Sequence, residues 1–249
     1  EYTIIRSQQG YLVVKGDLVL GPFPEGEIRK HENRALFKLD KGMLLEVTPQ
    51  RHRQIFTKEK AWLHGYLCAD GHIRCGAYYG RYRGKEHGVR YRYEVTAYDE
   101  DPRYRKLFAE TMKKIYGVNA HDYPKRTAVT VYNKEAAYDL LRYGNYSTTK
   151  WSVPFEYLDR EAAKMWIRGF FDGDGSATRD HKHIKIIATS VNIDGLREVC
   201  ELLEREFNIH AAIRRARHGE ETKSWNPLYN LEIFLKSDVI KFYEEIGFS

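Results

Sequence analysis

The sequence predicts an α+β protein, with two pseudo-symmetric halves of order αββαββα behind a β-rich N-terminal extension. Two nonapeptides carry that prediction. Leu63 to Gly71 reads LHGYLCADG, and Ile167 to Gly175 reads IRGFFDGDG. Both place Gly third, an aromatic fourth, Asp eighth and Gly ninth, and their aspartates, Asp70 and Asp174, lie 104 residues apart. Such a spacing is one small domain's length, so the copies open two related halves. The same succession of helical and strand patterns after each copy is the second observation.

Composition sets the bounds. At 249 residues and 42% hydrophobic content, the chain can bury the core of one large or two small domains. Lys and Arg total 41 against 35 for Asp and Glu, a net charge of +6 that favours an anionic partner such as nucleic acid. Nineteen tyrosines add to that expectation. The three cysteines, Cys68, Cys75 and Cys200, lack CxxC spacing, which argues against a zinc site or a disulfide framework and for a reducing intracellular setting. No apolar run approaches the roughly 18 residues of a membrane span, and no membrane partner is expected.

Residues 1–57 read as the β-rich extension, with short strands at Tyr11–Lys15 and Asp17–Leu20 and a turn forced at Gly21-Pro-Phe-Pro. The first repeat, 58–146, opens on a helix capped by Thr57 and running to Asp70. Strands are predicted near 73–83 and 89–98, joined by Gly84 to Gly88. Asp101 opens a helix to Tyr116 that stops at Gly117. Strands near 118–123 and 128–132 and a helix over 134–143 complete the half. Residues 147–156 are polar, end near Pro154, and read as the linker. The second repeat, 157–249, gives a helix over 160–172, strands near 176–179 and 184–189, and a helix from Asn192 to Phe207. Strands near 210–217 and 229–235 follow, and Ser237 is expected to cap a last helix to Ile246.

Within the motif helices, residues four apart share a face. Gly65 and Ala69 form one small pair; Gly169 and Gly173 form the equivalent one. An interior glycine costs a helix about 0.8–1 kcal/mol relative to alanine, and close helix–helix contact is the gain that offsets it. Helices paired this way bring Asp70 and Asp174 together across a pseudo-twofold axis. Two carboxylates at helix C-termini repel each other and face the negative dipole end. A divalent cation relieves both problems, and an all-oxygen ligand set suits Mg²⁺ better than Zn²⁺.

These residues closely resemble the LAGLIDADG homing endonucleases in their single-chain, two-motif form, from about Thr57 to the C-terminus. The resemblance implies paired motif helices flanked by two saddle-shaped antiparallel sheets. It also implies Mg²⁺-dependent cleavage of both strands of a long double-stranded DNA site, with 3′ overhangs, by a monomer. Mn²⁺ or Ca²⁺ are expected to substitute for binding. By position, Asp70 and Asp174 match the family's metal-binding acids, and the backbone carbonyls of Ala69 and Gly173 match positions that often assist. Lys150 takes the place of a basic residue near the active centre. Its second-half counterpart would fall after Ser249. Thr96, Thr189 and Ser190 lie where the family puts water-organising residues, but the Gln-Lys pair of some members is missing. The sixth motif position is Cys68 in one copy and Asp172 in the other, and Asp172 is expected to cap or pack. The C-terminal Ile-Gly-Phe-Ser lacks the His-Asn ending of an intein, so an intron-encoded origin is expected.

A two-stranded ribbon fits the DNA major groove. Period two places Arg90, Arg92, Glu94 and Thr96 on one strand face, and Tyr91, Tyr93 and Val95 on an opposite, core-like face. The expected DNA contacts in the first half are Arg74, Arg81, Arg83, Lys85, Arg90 and Arg92. In the second half they are Arg179, Lys182 and Lys185 on one hairpin, with Arg214, Arg215, Arg217 and Lys223 around the other. The N-terminal extension either adds DNA contacts through Lys15, Arg29, Lys30 and Arg34, the reading slightly favoured, or only braces the fold. The alternatives on the same scaffold are an RNA-binding intron maturase and a DNA-binding regulator that does not cleave.

Overall fold

Two compact units make up the computed structural model: residues 1–54 and residues 55–249. Side chains are described for residues 55–77, 91–179, 184–216 and 227–249, and the backbone alone for 78–82, 85–90, 180, 183 and the strands of the first unit. Arg83, Lys182, Arg217 and Lys223 lie outside the described residues.

The first unit holds two antiparallel meanders. One joins β1 (Thr3–Ser7), β2 (Gly10–Lys15) and β3 (Leu18–Phe23); the other joins β4 (Ile28–His31), β5 (Arg34–Lys38) and β6 (Leu44–Val47). The expected turn at Gly21-Pro22 is instead continuous strand. β3 is an edge strand, and Pro22 lies beside the register shift between Tyr11 and Val13 of β2, the two settings in which a strand tolerates proline.

In the second unit, α1 (Lys58–Asp70) leads into β7 (Gly71–Tyr82) and β8 (Lys85–Tyr98). Then come α2 (Pro102–Tyr116), β9 (His121–Tyr123), β10 (Ala128–Tyr132) and α3 (Lys134–Leu141). The second half repeats this with α4 (Arg160–Asp174), β11 (Gly175–Asp180), β12 (His183–Ser190), α5 (Ile193–Phe207), β13 (Ala212–Arg215), β14 (Tyr229–Ile233) and α6 (Lys236–Lys241). The sheet orders are β7-β8-β10-β9 and β11-β12-β14-β13, one topology built twice. Side-chain caps explain where five of the helices start: Thr57, Asp101, Asn133, Asp159 and Asn192 each accept a backbone N–H. Ser237 does not cap α6, which starts two residues earlier, at Lys236 behind Leu235, and continues as a π-helical turn over Phe242–Ile246. The β7–β8 hairpin is longer than expected, since β8 pairs as far back as Lys85 opposite Tyr82.

Strand alternation sets two faces on each sheet. Val95, Ala97, Val129 and Val131 are buried on the first sheet's helix-covered face, as are Ile186, Ala188, Leu231 and Ile233 on the second's. The opposite faces carry Arg74, Arg92, Glu94, Thr96 and Thr130, and Lys185, Thr189, Arg214, Asn230 and Glu232. Tyr91 departs from its expected core-like role: it is 70% exposed, because the hairpin outruns the helices that bury Val95.

Candidate active site and nucleic-acid face

α1 and α4 lie against one another through their glycines. Eight consecutive residues of α1, Ala61 to Cys68, are buried, so this helix is a central post and not an amphipathic surface helix. A methyl on Gly65 would run into the backbone carbonyl of Trp166, and one on Gly169 into that of Trp62. These two contacts are the same contact under the pseudo-twofold. At the C-terminal ends, a methyl on Gly173 would sit 2.6 Å from the Ala69 Cβ and 3.2 Å from Asp70 Oδ2. The helix ends therefore converge, with the Asp70 carboxylate against the partner helix.

Asp70 and Asp174 are both half-buried. Burial pushes the Asp70 carboxyl up to about 6, with the charge of Asp99 adding to it. Burial also holds Asp174 well above the carboxylate range, with Asp70's charge as the second cause. The carboxylates face each other's charge and lose water together, which a shared cation would reverse. No group of three His, Cys, Asp or Glu among the described residues forms a complete metal cage. The donor set still suits a hard cation that takes its remaining ligands from water and phosphate oxygens. Ala69 and Gly173 directly precede the two acids and meet where the helix ends converge.

Surrounding groups brace this centre, and several escaped the sequence reading. Tyr66 donates to Asp99 Oδ2 at 2.8 Å, and the Asp101 amide donates to Asp99 Oδ1 at 2.7 Å. Buried Arg105 pins the same loop by donating to the carbonyl of Asp99 at 2.8 Å. Asp70, Tyr98, Asp99, Tyr104, Asp172 and Gly173 line one open cleft. Asp172 packs as expected: it accepts from Trp62 Nε1 at 2.7 Å and from the Ser249 amide at 2.9 Å. The equivalent indole, Trp166 Nε1, donates instead to His64 Nδ1 at 2.9 Å, beside Cys68. Burial depresses His64 to about 3, so it is neutral.

Lys150 is exposed on a turn closed by its own amide donating to the Ser147 carbonyl at 3.0 Å. Buried Trp151 next to it packs on Phe170 of α4, with ring centroids 5.0 Å apart. Thr96 and Thr189 do not occupy equivalent places: Gly71 pairs with Ala97 and Gly175 with Ala188, so Thr189 corresponds to Tyr98. Thr96 bonds Thr130 at 3.0 Å and Thr189 donates to Asn230 at 3.0 Å.

The predicted basic residues split by face. Register keeps Arg90 in line with Arg92 and Arg74 on the open face of the first sheet, as it keeps Lys185 and Arg214 on that of the second. Arg179 pairs with Ile184 and Arg215 with Tyr229, which puts both in the helix-side register. Arg81 and Lys85 lie on the distal hairpin beyond a register shift. The open face of the first sheet also holds Tyr123 and Tyr132, whose hydroxyls are 3.2 Å apart, and His121, whose ring centroid is 5.7 Å from that of Tyr132. Alternation along β9 and β10 was the signal that could have found them.

Fold and site define a pseudo-dimeric α+β protein with a carboxylate pair at the end of a helix–helix seam and two open sheet faces. Residues 161–247 match the LAGLIDADG-like domain. The structure is similar to mesophilic variants of the homing endonuclease I-DmoI, with a TM-score of 0.52 and 19% identity over 76% of this chain and 90% of that one. It is also similar to I-DmoI in complex with DNA and Mn, with a TM-score of 0.50 and 18% identity over 76% and 96% of the two chains. Among curated proteins of Methanocaldococcus jannaschii, the chain is 30% identical over 148 residues to the DNA-directed RNA polymerase subunit Rpo1C. It is 25% identical over 192 residues to a DNA polymerase of the same organism. These matches cover 58% and 76% of the chain but 16% and 11% of the relatives, so the chain spans a small part of their length. The chain carries a LAGLIDADG-like domain and has the fold of the LAGLIDADG homing endonucleases, with two motif copies in one polypeptide.

Proposed function

We propose that this protein is a site-specific homing endonuclease. It hydrolyses one phosphodiester in each strand of a long duplex DNA site and leaves 3′ overhangs. The observation that carries this reading is the convergence of Asp70 and Asp174, both raised by burial, at the end of the glycine seam. Asp70 and Asp174, with the carbonyls of Ala69 and Gly173, would hold Mg²⁺. Bound there, the ion would lower the pKa of water and offset charge on the leaving oxygen. The protein's own part is positional. The glycine seam fixes the carboxylates, and buried Asp172 and His64 hold the two indoles behind them. The open sheet faces, with Arg74, Arg92, Lys185 and Arg214, hold the duplex across the centre. Lys150 would stabilise charge near the scissile phosphate. The protein would work as a monomer, since one chain supplies both motif helices.

The test is cleavage of a plasmid library in Mg²⁺ by the wild type and by Asp174→Asn. Linear product from the wild type alone supports the reading. Sequence-selective binding without a cut by either would instead identify a DNA-binding regulator. Selective capture of structured intron RNA over duplex DNA would identify a maturase.

A further inference from the structure

On the open face of the first sheet, one arginine is held by a buried acid. Glu94 is 7% exposed, yet its Oε1 lies 2.5 Å from Arg92 Nε. The two side chains are neighbours because residues two apart on a strand share a face. Across the sheet, Tyr132 pairs with Glu94, and its hydroxyl is also bonded to Arg92 and lies against Tyr123. A buried carboxylate on a sheet face is costly unless its partner is fixed. The second half reaches a looser version by another route. Glu232, 9% exposed, lies 3.8 Å from Arg214 Nε, on the diagonal between β14 and β13. These acids are not equivalent under the pseudo-twofold: Glu94 is on β8 and corresponds to Lys185 of β12, whereas Glu232 is on β14.

We propose that Glu94 and Tyr132 are positioning residues that orient Arg92 to read a guanine edge in the major groove, with Glu232 doing the same less strictly for Arg214. The inference rests on the duplex-DNA reading given above. A phosphate contact needs only a charge, which an exposed, mobile arginine or lysine supplies. A guanine O6/N7 contact needs a planar fork in one orientation, and prior fixing of the guanidinium lowers the ordering cost of forming it. Part of Arg92's charge is spent on Glu94, which is a poor arrangement for phosphate attraction and a good one for directional bonding. Arg179 and Arg215, in the other register, pair with Ile184 and Tyr229 and are outside this group.

The experiment is selection of bound duplexes from a randomised library in Ca²⁺, with the salt dependence of binding measured for the selected pool. The wild type, Glu94→Gln, Arg92→Lys and Glu232→Gln are compared, and a thermal melt of each reports folding. Arg92→Lys keeps the charge and needs no new packing, so it tests the idea even where Glu94→Gln unfolds. One guanine position should lose about 5- to 150-fold preference in Glu94→Gln and in Arg92→Lys, with an unchanged salt slope. Glu232→Gln should lose less, at a position in the other half-site. A uniform gain in affinity with an unchanged sequence profile would overturn the inference, because Glu94 would then be only a brake on a phosphate contact. A selected motif unaltered by Arg92→Lys overturns it as well. Enrichment of no sequence by the wild type overturns the duplex-DNA reading together with this inference.

Discussion

The two motif helices agree where backbone meets backbone and differ where side chain meets side chain. Gly65 faces the Trp166 carbonyl as Gly169 faces the Trp62 carbonyl. The indoles behind those carbonyls find different acceptors: Asp172 for Trp62, and His64, one turn before Cys68, for Trp166. A backbone contact leaves no room for a Cβ, so the same residue type recurs. A buried N–H needs an acceptor but not a particular one, so the sixth motif position is free to hold a carboxylate in one half and a thiol in the other.

The comparison can be broken first at the carboxylates. Asp70→Asn and Asp174→Asn should each reduce cleavage by on the order of 10²–10³-fold or more. Each should also stabilise the free protein at neutral pH. The Asp70 carboxyl, ordinarily near 3.8, is raised to about 6 in the fold. Ionising it therefore costs stability: the cost is absent below about pH 4, grows up to about pH 6 and stays constant above. Asp70→Asn should remove that cost, by about 1–3 kcal/mol at pH 7. Urea unfolding at pH 4 and 7 checks this, and an Asn variant that is less stable at pH 7 would break the electrostatic reading.

Gly65→Ala and Gly169→Ala test the seam. Helix propensity alone would make each more stable by about 0.8–1 kcal/mol. Collision with a carbonyl should reverse the sign and leave each about 1–3 kcal/mol less stable. Chemical denaturation of the pair should give similar losses, and unequal ones would mean the seam is not symmetric.

His64 sharpens the side-chain difference. Its folded value, about 3, lies below the ordinary 6.5, so the unfolded chain binds a proton that the folded one refuses. Stability should fall as pH drops below about 6.5, by up to about 1.4 kcal/mol per unit until about pH 3. His64→Gln keeps an acceptor for Trp166 and should flatten that slope, which thermal melts from pH 7 to pH 4 would reveal. The smallest effect belongs to the surface. Arg179→Ala should change stability by under about 0.5 kcal/mol and DNA affinity less than Arg92→Ala does.

Much of the fold was legible because it is local. Thr57, Asp101 and Asn192 start helices through caps that their own side chains make, and duplication let each half check the other. Hairpin length was misjudged at Gly84–Gly88, since pairing across β7 and β8 outweighs the turn preference of the intervening residues. Of the site, Asp70 and Asp174 stood out by repetition. Asp99 and Tyr132 lie outside the motifs, and His64 sits at a motif position the two copies do not share; their roles come from partners 33, 9 and 102 residues away.

By itself, then, the sequence determined that there are two halves, that small residues line one face of each motif helix, and that an acid ends each helix. Periodicity and repetition are properties of the chain alone. Tertiary structure decided which acceptor serves each indole, which arginines share the open face, and how far burial raises the two carboxylates. Those depend on which groups pack beside one another once water is excluded, and no spacing along the chain encodes that.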